Sequence, residues 1–299
     1  MSRRHCFLGL VVLCGLLLAG GAWSGETRLL KDQLGRSVAV PRQPQRVIAL
    51  IPSLTEIVYA LGRGDLLVGA TQFADQPPAA AKLPRVGSYL HLDIERIVAL
   101  RPDLCLASRD GNPDYAIRRI LELGIPVFAL DPRTLNEISN SVTLLGELLD
   151  ARPQAAAIAR EMAAKMDAVA ARVKKAPSRP KVFFQIDASP LFSAGQGTFI
   201  DQLITSAGGR NLAGDRTGYP RYSWEDILAL RPEVVIIASM AGGYSEAQLK
   251  AQWSRWPDIP AVKDGRLYVV DAGLFDRPVP RLADGLVALA KLLHPETGQ

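Results

Sequence analysis

The chain is poor in the residues that build reactive centres. It holds three cysteines and three histidines in 299 residues, and Cys6, Cys14 and His5 fall within its first fourteen positions. Once a leader is removed, Cys105 stands without a partner, so no disulfide framework is expected. Set in an apolar run, that thiol reads as a small buried hydrophobe rather than a nucleophile. His91 and His294 are too few and too far apart for a zinc cage, which wants several ligands at close spacing. His294, beside Pro295, is expected on the solvated surface; His91 falls in a loop after Tyr89, open to solvent or to a ligand. Gly195-Gln196-Gly197 lacks both the further glycine of a dinucleotide site and the lysine of a phosphate-binding loop. With neither a nucleophile set nor a metal set in view, a secreted enzyme is the disfavoured class.

Long apolar runs and runs of basic residues are also missing. The stretch from Phe7 to Ala19 is short for a membrane span, follows Arg3 and Arg4, and leads to Ala22-Trp23-Ser24, a small-x-small pattern. Residues 1–24 are therefore expected to be a cleaved secretory signal. Cys14 after Val12-Leu13 leaves a lipoprotein signal as the rival, and the leucine directly before that cysteine speaks against it. The formal net charge of +5 loses Arg3 and Arg4 with the signal and becomes 5 − 2 = +3. Such a mild balance, without basic-aromatic interleaving, excludes nucleic acid as the partner.

What is present is a repeat. ERIVALRPDLCLAS, from Glu95 to Ser108, returns 130 positions later as EDILALRPEVVIIA, from Glu225 to Ala238. Each copy reads as a short helix stopped by proline, Pro102 or Pro232, and then a strand apolar enough to be covered on both faces. Asp93 and Ser223 occupy N-cap positions, which puts Glu95 and Glu225 in matching first turns. The helix dipole favours an acid there without any partner. Two copies imply two similar lobes; a solenoid would need three or more.

Strand-helix alternation around both copies predicts α/β lobes with largely parallel sheets. Residues 25–45 read as a hairpin turning near Gly35-Arg36, 46–150 as an N-terminal lobe, 151–176 as a linking helix and 177–299 as a C-terminal lobe. Ser53 and Glu56 have capping-box spacing for the first helix. From Pro153 to Lys174 there is no glycine, and Ile158, Met162, Met166, Val169 and Val173 fall on one stripe, so a rigid strut between lobes is expected. Aromatics then recur on loops that leave strand ends: Phe73, Tyr89, Tyr219, Tyr222 and Phe275. In open α/β sheets ligands collect at the carboxyl ends of strands, so these loops are expected to face one another across an interlobe cleft.

The segments RVIALIPSLTEIVYALG, PRVGSYLHLDIERIVALRPDL, VFFQIDASPLFSAGQGTFIDQLITSAGGRN, YPRYSWEDILALRPEVVI and FDRPVPRLADGL together resemble the periplasmic binding proteins of siderophore, haem and cobalamin ABC importers, most of all the cobalamin-binding branch. The resemblance covers about residues 46–293. It implies the class III architecture, two Rossmann-like lobes joined by one long rigid helix. It also implies a monomeric periplasmic protein that catalyses nothing and needs no cofactor or metal. By position it places Phe73, Tyr89 and Tyr219 against a corrin ring, Pro52 and Ser53 at the first strand end, and Arg277 near the cleft. It further implies that Glu95 and Glu225 dock on the transmembrane subunits of the transporter. Two departures stand out: Ile186 replaces a phenylalanine of the family pattern, and tyrosines replace two tryptophans. Haem binders of the family carry a tyrosine ligand where this chain has Ser88, beside Tyr89; a haem or iron-siderophore receptor is thus the same-fold alternative.

Overall fold

A computed structural model describes residues 26–238 and 243–298. The signal expected over residues 1–24, with Cys6, Cys14 and His5, lies outside the described residues. The described chain opens with an antiparallel hairpin, β1 (Thr27–Lys31) and β2 (Ser37–Pro41). Val40 of this hairpin is buried in the core of the first lobe, so the hairpin seals that lobe's edge.

The first lobe then runs β3 (Val47–Ala49), α1 (Pro52–Ala60), β4 (Leu67–Ala70), α2 (Ile94–Ala99), β5 (Leu104–Ser108), α3 (Asp114–Glu122), β6 (Val127–Leu130) and α4 (Leu135–Leu148). Its four strands are parallel in the order β4-β3-β5-β6. Side chains alternate between two cores, as a sheet covered on both faces requires. Leu104 and Leu106 face α1 and α4, whereas Cys105 and Ala107 face α2 and α3. Cys105 is a free, buried thiol whose pKa is raised by that burial and by the charge of Asp103.

After α5 (Arg152–Val173), the second lobe comprises β7 (Lys181–Ala188), β8 (Leu191–Ser193), α6 (Phe199–Ser206), β9 (Arg210–Asn211), β10 (Arg221–Tyr222), α7 (Trp224–Leu230), β11 (Val234–Ile237), α8 (Glu246–Ser254), α9 (Pro260–Lys263), β12 (Leu267–Val269) and α10 (Leu282–Leu293). Its sheet is parallel through β9, β7, β11 and β12 and gains an antiparallel margin from β8 and β10. The α/β class with two sheet-bearing lobes thus holds.

Packing ties the lobes through α5, the head of α4 and the segment before α10. The helix α5 has 22 residues, and its Ile158 packs against the cores of both lobes. At about 1.5 Å of rise per residue, a helix of that length spans roughly 33 Å. At the head of α4, the Leu135 N–H donates to Gln202 Oε1 of α6 at 2.9 Å, and Leu135 and Ile138 are buried in the second lobe's core. In return, Val279, just before α10, is buried in the first lobe's core.

The repeat is structural as well as sequential. Asp93 and Ser223 each cap their helix by accepting from the N–H three residues on, and Glu95 and Glu225 are exposed in the first turns. Each copy breaks before its proline at a left-handed arginine, Arg101 (φ 46°) and Arg231 (φ 48°). The acid that follows each proline anchors its lobe's first strand. Asp103 accepts from the N–H groups of Gln45 (2.6 Å) and Arg46 (3.0 Å) ahead of β3, and Glu233 accepts from the Lys181 N–H at the start of β7 (2.8 Å).

Three local expectations are corrected. α1 begins at Pro52 with Ile51 as its N-cap and no side-chain cap, so Ser53 and Glu56 form no capping box: proline fixes the first turn one residue earlier. His294 is 1% exposed rather than solvated. It ends α10 against the close of α5, where its carbonyl accepts from Arg172 Nη2 (2.6 Å) and its imidazole fills the space beside Gly208. Tyr222 and Phe275 belong to cores rather than to a cleft. Tyr222 meets Phe183 edge-on at 5.3 Å, and Phe275 meets Phe184 at 5.6 Å, because β10 and the turn after β12 direct them under the helices.

Asp103 is buried and serves two backbone donors. Losing such an acceptor costs about 1–3 kcal/mol. Asp103→Ala should lower the unfolding free energy by that amount in denaturant titrations. A midpoint equal to wild type would remove this anchoring role.

Candidate functional site

Between the lobes lies a cleft of about 620 Å³. The first lobe contributes the carboxyl ends of all four of its strands: Ile51–Ser53 after β3, Phe73 and Tyr89 on the long connection after β4, Ser108 at the end of β5 with Asp110 and Gly111 beyond it, and Asp131–Arg133 after β6. From the second lobe come Gln196–Phe199, Thr217–Tyr219 and Asp276–Pro278. Pro52, Ser53, Phe73, Tyr89, Tyr219 and Arg277 are thereby brought together on one cavity wall or the other. His91, also considered from the sequence, is exposed in the Tyr89 turn and does not line the cleft.

The aromatic walls are held from behind. Gly87 turns the chain at φ 90°, and a Cβ there would collide with the backbone of His91 and Asp93, so only glycine closes this turn. The turn presents Tyr89, whose ring meets Phe73 edge-on at 6.1 Å. Behind it sits Asn112, which the sequence alone did not single out. Its Nδ2 donates to the carbonyls of Leu50 (2.9 Å) and Tyr89 (3.1 Å), and its Oδ1 accepts from the Ser108 N–H (2.9 Å). One buried amide thus ties three strand-end loops together. Opposite, the Tyr219 loop is fastened by Gly195 N–H to Gly218 O (2.7 Å) and Gly218 N–H to Gln196 O (3.1 Å). Phe73 and Tyr219 remain 56% and 54% exposed. They form an uncovered aromatic area inside a concave site, the kind of surface that marks a binding position.

Tyr89 and Tyr219 are themselves 219 − 89 = 130 positions apart, the offset of the repeat. They are one position used twice, and extending the repeat six residues upstream of Glu95 and Glu225 would have found it. Asp110, Asp131 and Arg133 were not singled out from the sequence; the strand-end rule, applied to charged residues after β5 and β6 as well as to aromatics, would have found them.

Two polar groups frame the cleft. On the first lobe, Arg133 is held by Asp110 and Asp131 at 3.0 and 3.4 Å. Across from them, the Tyr219 phenol is pushed up by partial burial and by the charge of Asp110, while Arg133 pulls it down. Beside the lining residues Asp276 and Arg277, Arg281 of the second lobe makes a forked pair with Glu56 of α1 (2.6 and 3.2 Å) and reaches Asp276 (3.2 Å). Arg277 pairs with Asp75 (3.0 Å) and donates to the Phe73 carbonyl (3.3 Å), tying the loop of one cleft aromatic to the other lobe. Burial pushes the Asp276 carboxyl above its ordinary value, Arg277 and Arg281 pull it back, and the charge of Glu56 adds to the rise. No group of histidine, cysteine and acidic side chains able to hold a metal occurs among the described residues.

The family model described as periplasmic binding protein matches residues 47–274. The vitamin B12-binding protein of Pectobacterium atrosepticum is 34% identical over 246 residues, covering 80% of this chain and 85% of that protein. Among solved structures, the periplasmic vitamin B12 binding protein BtuF of Vibrio cholerae superposes with a TM-score of 0.78 at 27% identity, covering 87% of this chain and all of that one. A periplasmic haem-binding protein from Pseudomonas aeruginosa superposes at 0.75 with 31% identity, covering 85% and 94%.

A carboxyl raised by burial is disfavoured in its ionised form, so its cost is present at neutral pH and disappears as pH falls through the folded value. Asp276→Asn should therefore melt at or above the wild-type temperature at pH 7, with the difference shrinking towards pH 4. A variant that is less stable at pH 7, with the gap unchanged on acidification, would contradict this.

Proposed function

This chain belongs to the periplasmic binding protein family, and on that premise we propose that it captures a corrinoid, cobalamin, in the interlobe cleft and delivers it to the transmembrane subunits of an ABC importer. Membership makes it a substrate-binding protein and not an enzyme. The observation that carries the ligand reading is the pair of repeat-equivalent tyrosines, Tyr89 and Tyr219, presented from opposite lobes with Phe73 beside one of them. Flat, exposed rings on both sides of a slot suit a large planar ring, whose burial contributes about 25 cal/mol per Å² of apolar area before ordering costs. Ser53, Ser108, Gln196 and Thr217 offer hydroxyl and amide groups along the same lining for the polar rim of such a ligand. The relatives named for vitamin B12 support this choice.

Haem is the second reading, and the likeness to a haem-binding structure at a nearly equal score favours it. Against it, the position expected to carry a tyrosine ligand holds Ser88, whose Oγ accepts from the His91 N–H inside the turn (3.0 Å). Secretion through the signal expected at residues 1–24 belongs to the same proposal.

Delivery rests on Glu95 and Glu225. Each lies six residues beyond its cleft tyrosine, exposed on the first turn of α2 or α7, so one ligand-bearing loop and one docking acid travel together in both lobes. For Glu225, backbone and Ser223 hydrogen bonds hold the carboxyl below its ordinary value, so it meets a partner ionised. Two like subunits of a transporter would meet two like surfaces, with arginines or lysines opposite each glutamate.

Calorimetric and absorbance titration with cyanocobalamin tests the ligand. Tyr89→Ala and Tyr219→Ala should each weaken binding by about 1–3 kcal/mol, the loss typical of a buried aromatic anchor. Unchanged affinity in both, with the fold intact, would sink the cleft assignment. Rim charges govern encounter and register, so Glu95→Ala/Glu225→Ala should bind cyanocobalamin as wild type does and fail in uptake by vesicles carrying the cognate transporter. Wild-type uptake by that variant would leave the helix dipole as the whole reason for these acids.

A further inference from the structure

The charged side chains lining the cleft are arranged so that each cation already faces acids of the protein. Arg133 Nη2 lies 3.0 and 3.2 Å from the two carboxylate oxygens of Asp110, and its Nε donates to Asp131 at 3.4 Å. Arg277 is enclosed in the same way by Asp75 (3.0 Å), Asp276 (3.5 Å) and Glu56 (3.8 Å). Among the lining groups, Asp110, Asp131 and Asp276 stand against Arg133 and Arg277, which leaves −3 + 2 = −1.

We propose that Asp110 and Asp131 set the charge of the ligand: by occupying Arg133 they close the cleft to rings that carry carboxylates and leave it open to neutral or cationic rings with a carboxamide rim. This rests on the reading that a planar macrocycle occupies the cleft. A ligand carboxylate can reach Arg133 only beside Asp110 and Asp131, two acids against one cation, and like charges brought together repel where water is displaced. A carboxamide meets no such obstacle. Its N–H groups donate to Asp110 or Asp131, and its carbonyl accepts from Arg133 Nη1, which no protein acceptor among the described residues takes up. The same physics predicts that a corrinoid lacking its lower nucleotide phosphate, and so carrying an added positive charge, is accepted. The dicarboxylate porphyrins are refused. Specificity here comes from a repulsive element on one wall, and not from the aromatic surfaces, which any planar ring satisfies.

The test titrates haemin, a dicarboxylate ring, and cyanocobalamin, a neutral one, into wild type, Asp110→Asn/Asp131→Asn, and the same double variant carrying Arg133→Gln. Both aspartate changes keep side-chain shape, and burial already pushes the Asp131 carboxyl upward, so losing that charge spares the fold a desolvation cost. Thermal melts check this, and Asp110→Asn alone, at an exposed side chain, carries the test if the double variant unfolds. Freed Arg133 should raise haemin affinity at least about tenfold in the double variant, and the added Arg133→Gln should abolish the gain. An unchanged haemin affinity in the double variant overturns the charge assignment whatever cyanocobalamin does. A wild type that ignores cyanocobalamin overturns the corrinoid reading, while a haemin gain in the double variant would still uphold the role of Asp110 and Asp131. Tight haemin binding by wild type overturns the charge assignment, and the corrinoid reading falls with it where cyanocobalamin is ignored.

Discussion

Everything at the cleft depends on the two sheets being held apart at a set distance by a helix that belongs to both cores. α5 contributes Ala155 to the first lobe's core and Met162 and Val169 to the second, with Ile158 touching each. A helix packed along its length cannot bend at one residue without opening cavities in a close-packed interior, so it resists hinge motion more than a glycine-rich crossover would. The exchange of side chains at the other two ties, Leu135 and Ile138 into one core and Val279 into the other, adds to that resistance. The Glu56–Arg281 pair, largely shielded from solvent, fixes the register between α1 and the segment entering α10. Pairs in such settings give orientation more than stability, because desolvation offsets much of the attraction.

On that frame a duplicated unit does the same work twice. In each copy an acid pins the first strand, a left-handed arginine and a proline turn the chain from helix to strand, a capped helix carries an exposed glutamate, and a tyrosine six residues earlier faces the cleft. Duplication therefore places equivalent loops on opposite sides of one slot. The copies differ where the ligand's surroundings differ: Gly87 and Ser88 precede Tyr89, whereas Thr217 and Gly218 precede Tyr219. The charged cluster of Asp110, Asp131 and Arg133 belongs wholly to the first lobe, whereas Arg277 of the second lobe pairs with acids of both lobes, Asp75 and Asp276.

Much of this was legible in the sequence, for identifiable reasons. Apolar runs behind Pro102 and Pro232 can only be strands covered twice, and a glycine-free amphipathic stretch can only be a stiff helix; both signals are local. The aromatics were legible only in part, because a strand-end position does not fix which way a side chain turns. Tyr89 and Tyr219 follow glycines in left-handed or tight turns and project outward, while Tyr222 sits in β10 and Phe275 beneath Gly285, where they fill cores. Ser53 and Glu56 had the spacing of a cap, but Pro52 claimed the first turn and freed Glu56 to cross to Arg281, a partner 225 residues away. Asn112 and Val279 were illegible for the same reason. Their meaning lies in contacts between segments distant in sequence, which no periodicity records.

The central claim is that the cleft is preset, with the rings waiting at their working separation, so that binding orders side chains without swinging lobes. Small-angle X-ray scattering of the free protein and of the protein saturated with cyanocobalamin reads this directly. The account predicts the same radius of gyration and superposable pair-distance distributions within error. A clear contraction on saturation, of the kind produced when two lobes close on a hinge, would contradict it.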